Sequence, residues 1–399
     1  MVGPSVPVAY ATFRSYGARM KPSQLRVAMF SGNYNYVRDG ANQALNRLAR
    51  HLLDHGVALR VYSPTTDNPA FPPTGDLVSV PAYGLPGGRG EYKLARGLPA
   101  RTRADLSAFA PNIVHVSAPD ILGHRALSWG RRSGIATLAS LHTRFETYPQ
   151  YYGIGFLEPV AVALSKRFYN RADQVMVPGR GMAELLREWG VASPVDIWSR
   201  GVDHERFSPA MRDLDWRRSL GIGDDEVAVS FLGRLVLEKG LDVFSEVATE
   251  LQRRGVRHRI LVIGEGPARD WFAERVPHAV FAGFQAGDDL GRAVASMDVF
   301  FNPSITETFG NVTLEAMAAG VPVVAARATG AVGMVEDRTT GFLVPPRDIP
   351  AYADAIARLC DDADLRWRMG LAGHDAAKGY RWDSASQSVL DAYLRIARG

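Results

Sequence analysis

The strongest constraint on this chain is an alternation that runs almost from end to end. Short apolar, β-branched runs are each followed by a longer segment with helical spacing. "LRVAMF" (25–30), "ALRVYS" (58–63), "NIVHVS" (112–117), "ATLASLH" (136–142) and "QVMVPG" (174–179) read as buried strands. Among the intervening segments, "ANQALNRLARHLLDHG" (41–56) sets Ala44, Leu45, Leu48, Leu52 and Leu53 on one helical face, and Gly56 closes it. Strands that are apolar on both faces and joined by helices form parallel sheets covered by helices on either side. The pattern pauses over "SRGVDHERFSPAMRDLDWRRSLGIGDDE" (199–226), which is polar and rich in turn residues. It then restarts with "VAVSFLG" (227–233), "RILVIG" (259–264), "AVFAGF" (279–284), "MDVFFNPS" (297–304), "VPVVAA" (321–326) and "GFLVPP" (341–346).

A chain of 399 residues exceeds one ordinary core. The reading is therefore α/β, with two doubly wound halves facing across a cleft. The expected bounds are a loose leader over 1–24, a first domain over 25–200, a second over 201–380 and a terminal helix over 381–399. That helix, "WDSASQSVLDAYLRIARG", carries Val389, Leu390, Tyr393, Leu394 and Ile396. It can pack on its own domain or cross back onto the first.

Composition excludes several classes. No apolar run is long enough to span a bilayer. The leader lacks a secretory core, and Met20 offers a second start. The lone Cys360 can form no internal disulfide, which fits a reducing cytoplasm. The net charge of +4 favours anionic partners. Scattered arginines without a zinc-finger or RNP pattern argue against nucleic acid. The stretch "RGEYKLARGLPARTRADL" (89–106) mixes basic residues with Leu94, Leu98 and Leu106. It reads either as a solvated helix or as a peripheral contact with an anionic membrane.

Ligands of doubly wound sheets bind beyond the carboxyl ends of the strands, so residues just after each strand carry the function. Arg234 and Lys239, in "GRLVLEKG", follow one strand, and this lysine is one of only five in the chain. A guanidinium fork and an ammonium there suit a diphosphate, against the plainer reading of two surface cations. Further on, "TETFGNVTLEAMAAG" puts Glu307 at a helix entrance and Glu315 within the helix, inside a very apolar region. A carboxylate is costly to bury unless hydroxyls or a cation meet it. Amides near Phe309 and Gly310, at the helix start, suit phosphate oxygens.

The spacing Glu-x7-Glu, the "GRLVLEKG" pair, "TTGFLVPPRD" and "IWSRGVDHERFSP" (197–209) together resemble the retaining GT-B glycosyltransferases of family 4. The likeness runs from about Leu25 to the C-terminus. It implies two Rossmann-like domains and a nucleotide sugar bound mainly by the second. By this resemblance Arg234 and Lys239 bind the donor diphosphate, Glu307 faces the donor sugar, and Glu315 binds the ribose hydroxyls. "AGFQAGDDL" (282–290), with Gly283 and Phe284, cradles the base, and His142 in "SLHTRF" stands near the reacting centre. The first loop, "SGNYNYVRDGAN", departs from the family's Gly-Gly pair. Gly40, before the helix, still lets backbone approach a phosphate.

The resemblance further implies transfer of a hexose with retention, without a resident cofactor or metal, from a GDP- or UDP-sugar, with GDP-mannose favoured. Asp213-Leu214-Asp215 has Asp-x-Asp form but lies in the polar connector. Tyr148, Tyr151 and Tyr152, after His142, suit a sugar or lipid-linked acceptor, or plain packing. Rival readings are a UDP-sugar glycolipid synthase, a sugar-nucleotide epimerase, a non-catalytic binding module and a dinucleotide oxidoreductase. The last lacks its fingerprint, because "GEGPAR" (264–269) has Arg269 where a third glycine belongs.

Overall fold

A computed structural model describes residues 20–36, 39–84, 93–147 and 155–398. Most of the expected leader, the loop residue Arg38, the start of the basic stretch and the three tyrosines lie outside the described residues. Within them the first half contributes β1 Arg26–Phe30, β2 Ala58–Ser63, β3 Asp76–Ser79, β4 Ala82–Gly84, β5 Lys93–Ala95, β6 Ile113–Val116, β7 Ala136–Ser140, β8 Gln174–Val177 and β9 Val195–Ile197. The second half contributes β10 Ala228–Leu232, β11 Arg259–Ile263, β12 Val280–Gly283, β13 Val299–Asn302, β14 Val323–Ala326 and β15 Gly341–Val344.

One sheet runs β3-β2-β1-β6-β7-β8-β9 and the other β12-β11-β10-β13-β14-β15, all parallel; β4 and β5 pair separately as an antiparallel ribbon. Each sheet thus starts in its middle, winds one way for three strands, then reverses. β6, β7, β8, β10, β13, β14 and β15 are buried along their whole length, as covering both faces of a parallel sheet requires. The strands absent from the sequence reading are β3, β4, β5 and β9, which are short and partly exposed. "DLVS" and "VDI" have no continuous apolar run because edge strands do not need one.

The connector over 199–226 is less superficial than its polarity suggests. It includes the short helix Leu214–Ser219, whose Arg217 is fully buried. Arg217 reaches Asp298 at 2.8 Å and the carbonyls of Ser296 and Glu226 at 2.8 and 2.6 Å, so its charge is paired and both terminal nitrogens donate. The last helix, Trp382–Ile396, crosses to the first sheet. Its Val389, Leu390 and Tyr393 share a core with Leu45, Leu48, Leu52, Met176 and Trp198. Each such leucine contributes about 1.5–3 kcal/mol of burial energy, and a salt bridge from Arg395 to Asp196 secures the rim.

The three leucines of the basic stretch do not share one exposed face. Leu106 is buried in the first domain's core on the helix Ala100–Phe109, Leu98 packs against that core, and Leu94 stands half-exposed on β5.

Candidate functional site

Each sheet reverses between its first strand and the neighbour on the other side, at β1/β6 and at β10/β13. Loops leaving these strands at their carboxyl ends diverge there and open a crevice. Arg234 lies exposed just beyond β10. Lys239 ends a single 3-10 turn, Leu237–Lys239, closed by Gly240 in the left-handed region at φ 76°. Nearby, Gly264 at φ 136° lets the loop after β11 pass under the Arg234 loop. A Cβ there would sit 2.0 Å from the carbonyl oxygen of Gly233. "GEGPAR" therefore carries its glycines for backbone crossing.

Beyond β13 the structure joins two residues to which the sequence reading gave separate tasks. Glu307 is buried, and Lys239 Nζ donates to its Oε1 at 2.7 Å. Asn302, the last residue of β13, donates to Oε2 at 3.3 Å and to Thr313 at 3.1 Å. Thr329 donates to the Glu307 carbonyl at 2.6 Å. Lys239 is thus the cation that meets the Glu307 carboxylate, and a sugar reaching this acid meets an ion pair.

Glu315 has no such partner among the described residues. Burial, then the nearby Glu307 charge, pushes its carboxyl up to about 8, with Arg206 acting in the opposite direction. Its side chain belongs to the helix Asn311–Ala318, which starts after Gly310 at φ 80°. Across the crevice the helix Gly40–Asp54 begins with Asp39 as its cap, accepting from the Asn42 amide at 2.8 Å. A Cβ on Gly40 would come within 2.4 Å of Asn311 Nδ2. The two helix starts therefore meet at the Asn311 side chain, and the dipole at each end favours an anion. Phe309 turns its ring into the core, 6.0 Å from Tyr380, so only its backbone remains for a ligand. At the end of β12, Gly283 lies at φ 70° and Phe284 is 72% exposed.

His142 follows β7 and ties the halves together by its backbone: Thr308 donates to its carbonyl at 2.9 Å. Arg144 adds a second strut, donating to the Ile305 carbonyl at 3.1 Å while paired with Glu146 at 2.6 Å. Both ring nitrogens of His142 have partners within the chain, and the residue is only partly buried. Arg200 Nη2 donates to Nδ1 at 3.0 Å, and Ser140 lies 2.8 Å from Nε2. A guanidinium can only donate, so Nδ1 accepts and the ring carries its proton on Nε2. Burial, then the Arg200 charge, holds this imidazole well below its usual range, and it is neutral. The chain of contacts continues from Ser140 to His115 at 2.7 Å and to Tyr393 on the last helix at 2.6 Å. Arg200 itself is buried against the Trp198 ring and has no carboxylate partner among the described residues.

Sequence reasoning missed Arg144, Asn302 and Thr329, and the hold of Arg200 on His142, since each role appears only when the loops beyond the strands are placed together. It also missed Asp120. This residue caps the helix Ile121–Arg132 beyond β6, abuts Gly32, and is raised to about 6 by burial. Asp213 caps the helix at Leu214, and Asp215 pairs with Arg218 at 2.6 Å.

Known proteins match both halves. Residues 38–206 fit the family description Glycosyltransferase Family 4, and residues 226–362 fit Glycosyl transferases group 1. A GDP-mannose-dependent alpha-mannosyltransferase of Mycobacterium tuberculosis is 30% identical over 384 residues, which cover 93% of this chain and 97% of that protein. Sulfoquinovosyl transferase SQD2 of Arabidopsis thaliana is 32% identical over 304 residues, covering 74% of this chain and 59% of that protein's length. The solved sucrose-phosphate synthase of Thermosynechococcus elongatus shares the GT-B fold with a TM-score of 0.74 at 22% identity, covering 93% of this chain and 99% of that one. Two Rossmann-like sheets with facing reversal points, matched along nearly their whole length at 30% identity, place this chain in glycosyltransferase family 4, among the group 1 glycosyl transferases.

Proposed function

We propose that the protein transfers mannose from GDP-mannose to a hydroxyl of a lipid-linked or glycan acceptor, with retention at the anomeric carbon. The observation that carries this reading is the Lys239–Glu307 pair beside two facing helix starts. It offers a cation and dipoles for a departing diphosphate and an acid for the hydroxyls of the sugar. The extent of identity to a GDP-mannose-dependent relative supports mannose over other hexoses.

In this reading the bond from C1 to the diphosphate oxygen breaks, and the acceptor oxygen bonds to C1 on the same face. The acceptor proton passes to the leaving phosphate oxygen, and no nucleophile of the protein is used. Arg234, Lys239 and the amides at 309–311 stabilise charge on the departing diphosphate, the term that commonly contributes most to such barriers. Glu315 takes the ribose hydroxyls and the backbone around Gly283 and Phe284 takes the base. Asp39 and Asp120 line the first domain's side, where acceptor hydroxyls enter. His142 contributes its carbonyl and a neutral ring held by Arg200.

Titration calorimetry with GDP, UDP and NAD tests the reading, followed by NMR of the product's anomeric configuration. Tight GDP binding and a product that keeps the α configuration are expected. Preference for UDP would transfer the assignment to a UDP-sugar glycolipid synthase on the same site. Turnover of the donor to a second nucleotide sugar without acceptor would mean an epimerase.

A further inference from the structure

We infer that the helix Glu158–Tyr169 and the end of the helix Ile121–Arg132 form a docking surface for an anionic lipid membrane. The proposal deepens the lipid-linked acceptor reading by naming the face that meets the bilayer.

Two observations lie side by side. The first is apolar. Phe156, Val160 and Leu164 are 76%, 54% and 57% exposed, and Leu157 is 39% exposed. Residues 156, 160 and 164 are spaced four apart, so they share one face from the preceding turn through the helix. The core receives Ser165, Phe168 and Tyr169, so the exposed row ends at Leu164 and the face turns inward one helical turn later, at Phe168. A monomeric soluble protein rarely leaves such a contiguous apolar stripe in water without a partner.

The second observation is charge. Lys166 and Arg167 occupy the last turn of the same helix, and Arg131 and Arg132 the last turn of its neighbour. Arg171 follows directly, and Arg131 donates to its carbonyl at 2.6 Å. Burial first, then Arg131, Arg167 and Arg132, lower the Arg171 guanidinium from its ordinary value, which places these four guanidinia together. None of the five cations has a carboxylate within ion-pair distance among the described residues. The helix's own acid, Glu158, sits at its opposite end, where the helix dipole favours it. Cations at a helix C-terminus are ordinary singly, but four guanidinia gathered without a counter-charge, with Lys166 on the same helix turn, beside an exposed apolar stripe leave both needs unmet. An anionic headgroup layer over an acyl layer meets both at once.

Location adds a third reason. The 3-10 turn Phe145–Thr147 packs on this helix and leads back to Arg144 and His142 at the crevice. An acceptor held in the bilayer at this face therefore has a short path to the reacting centre.

The test is co-sedimentation of the full chain with vesicles of phosphatidylcholine alone and of phosphatidylcholine mixed with phosphatidylglycerol. Binding to the anionic vesicles, lost on raising salt, is expected. Arg132 and Arg167 make no hydrogen bond or ion pair among the described residues. Neutralising both in Arg132→Gln/Arg167→Gln weakens binding by roughly 30-fold, from about 1 kcal/mol per cation near such a surface. Val160→Gln/Leu164→Gln weakens binding to the same vesicles while leaving the salt dependence in place. Both double variants keep wild-type thermal unfolding and wild-type GDP binding, so loss of the donor reading and loss of this one are told apart. Absence of vesicle binding, or binding indifferent to both double variants, overturns the proposal. So does a dimer in light scattering that Val160→Gln/Leu164→Gln dissolves, which would assign the stripe to a second copy of the chain.

Discussion

Replacing Glu315 by Gln exposes a conflict built into the crevice. The folded protein holds this carboxyl at about 8, above the ordinary carboxylate range. A proton on Glu315 therefore favours the fold. That stabilisation is complete below the ordinary carboxylate value and is lost as pH rises through about 8. At roughly 1.4 kcal/mol per unit, the full interval corresponds to about 5 kcal/mol. The side chain is partly open to the crevice, and solvent screening reduces this to about 2 kcal/mol. The isosteric amide carries no charge, so the variant and the wild type unfold together at about pH 4 and below. At about pH 8.5 the ligand-free variant melts higher, by ~4–8 °C if its domain responds as others of its size do. The assay is thermal unfolding of both proteins across that range, without nucleotide. In the same variant GDP affinity falls, because the ribose hydroxyls lose a charged acceptor. Wild-type binding near neutral pH releases a proton, which calorimetry in buffers of different ionisation enthalpy measures. Melting curves that stay parallel from acid to alkaline pH would refute the buried-carboxyl argument.

Lys239→Met strips the buried Glu307 carboxylate of its cation; turnover is expected to fall at least ~100-fold and GDP affinity to weaken, read by steady-state kinetics and calorimetry. Gly264→Ala places a Cβ against the Gly233 carbonyl in a left-handed backbone and costs about 3 kcal/mol, visible as a lower melting temperature. Arg200→Met frees Nδ1 of His142 and removes a charge that opposes its protonation, so an acid limb of the pH–rate profile moves to higher pH while staying below the ordinary histidine value, because the ring remains buried. A wild-type profile in that variant would show that the ring's protonation has no bearing on turnover. Chelation with EDTA leaves turnover unchanged, measured by release of GDP.

Much of the fold was legible because strands buried on both faces must be continuously apolar. Every strand read from such a run, from "LRVAMF" to "GFLVPP", is present, with neither end trimmed by more than two residues. The edge strands of the first sheet escaped, since "VDI" must satisfy only one neighbour and keeps polar residues. In the crevice, residue types at strand ends singled out Arg234, Lys239, Glu307 and Glu315 as candidates. What the sequence could not reveal was which of them satisfies which. Lys239 and Glu307 stand 68 residues apart and meet only because β10 and β13 are neighbours. Arg200 was legible as part of a motif, but its hold on His142 depends on β9 bringing its loop beside β7. Arg144 reads as a plain surface arginine until the second domain's loop at Ile305 is placed opposite it.

The return of the last helix to the first sheet has a consequence for how the protein is made. The first sheet is complete once β9 has emerged from the ribosome, yet its cover over Leu45, Leu48 and Leu52 is synthesised last. At ordinary elongation rates the interval from Ile197 to Trp382 lasts roughly 10–40 s. During that time the nascent first domain presents an uncovered apolar groove, and the second domain folds while tethered beside it. The order of synthesis thus makes the first domain finish after the second. It gives any holding factor that binds apolar surface a defined window and a defined place to act.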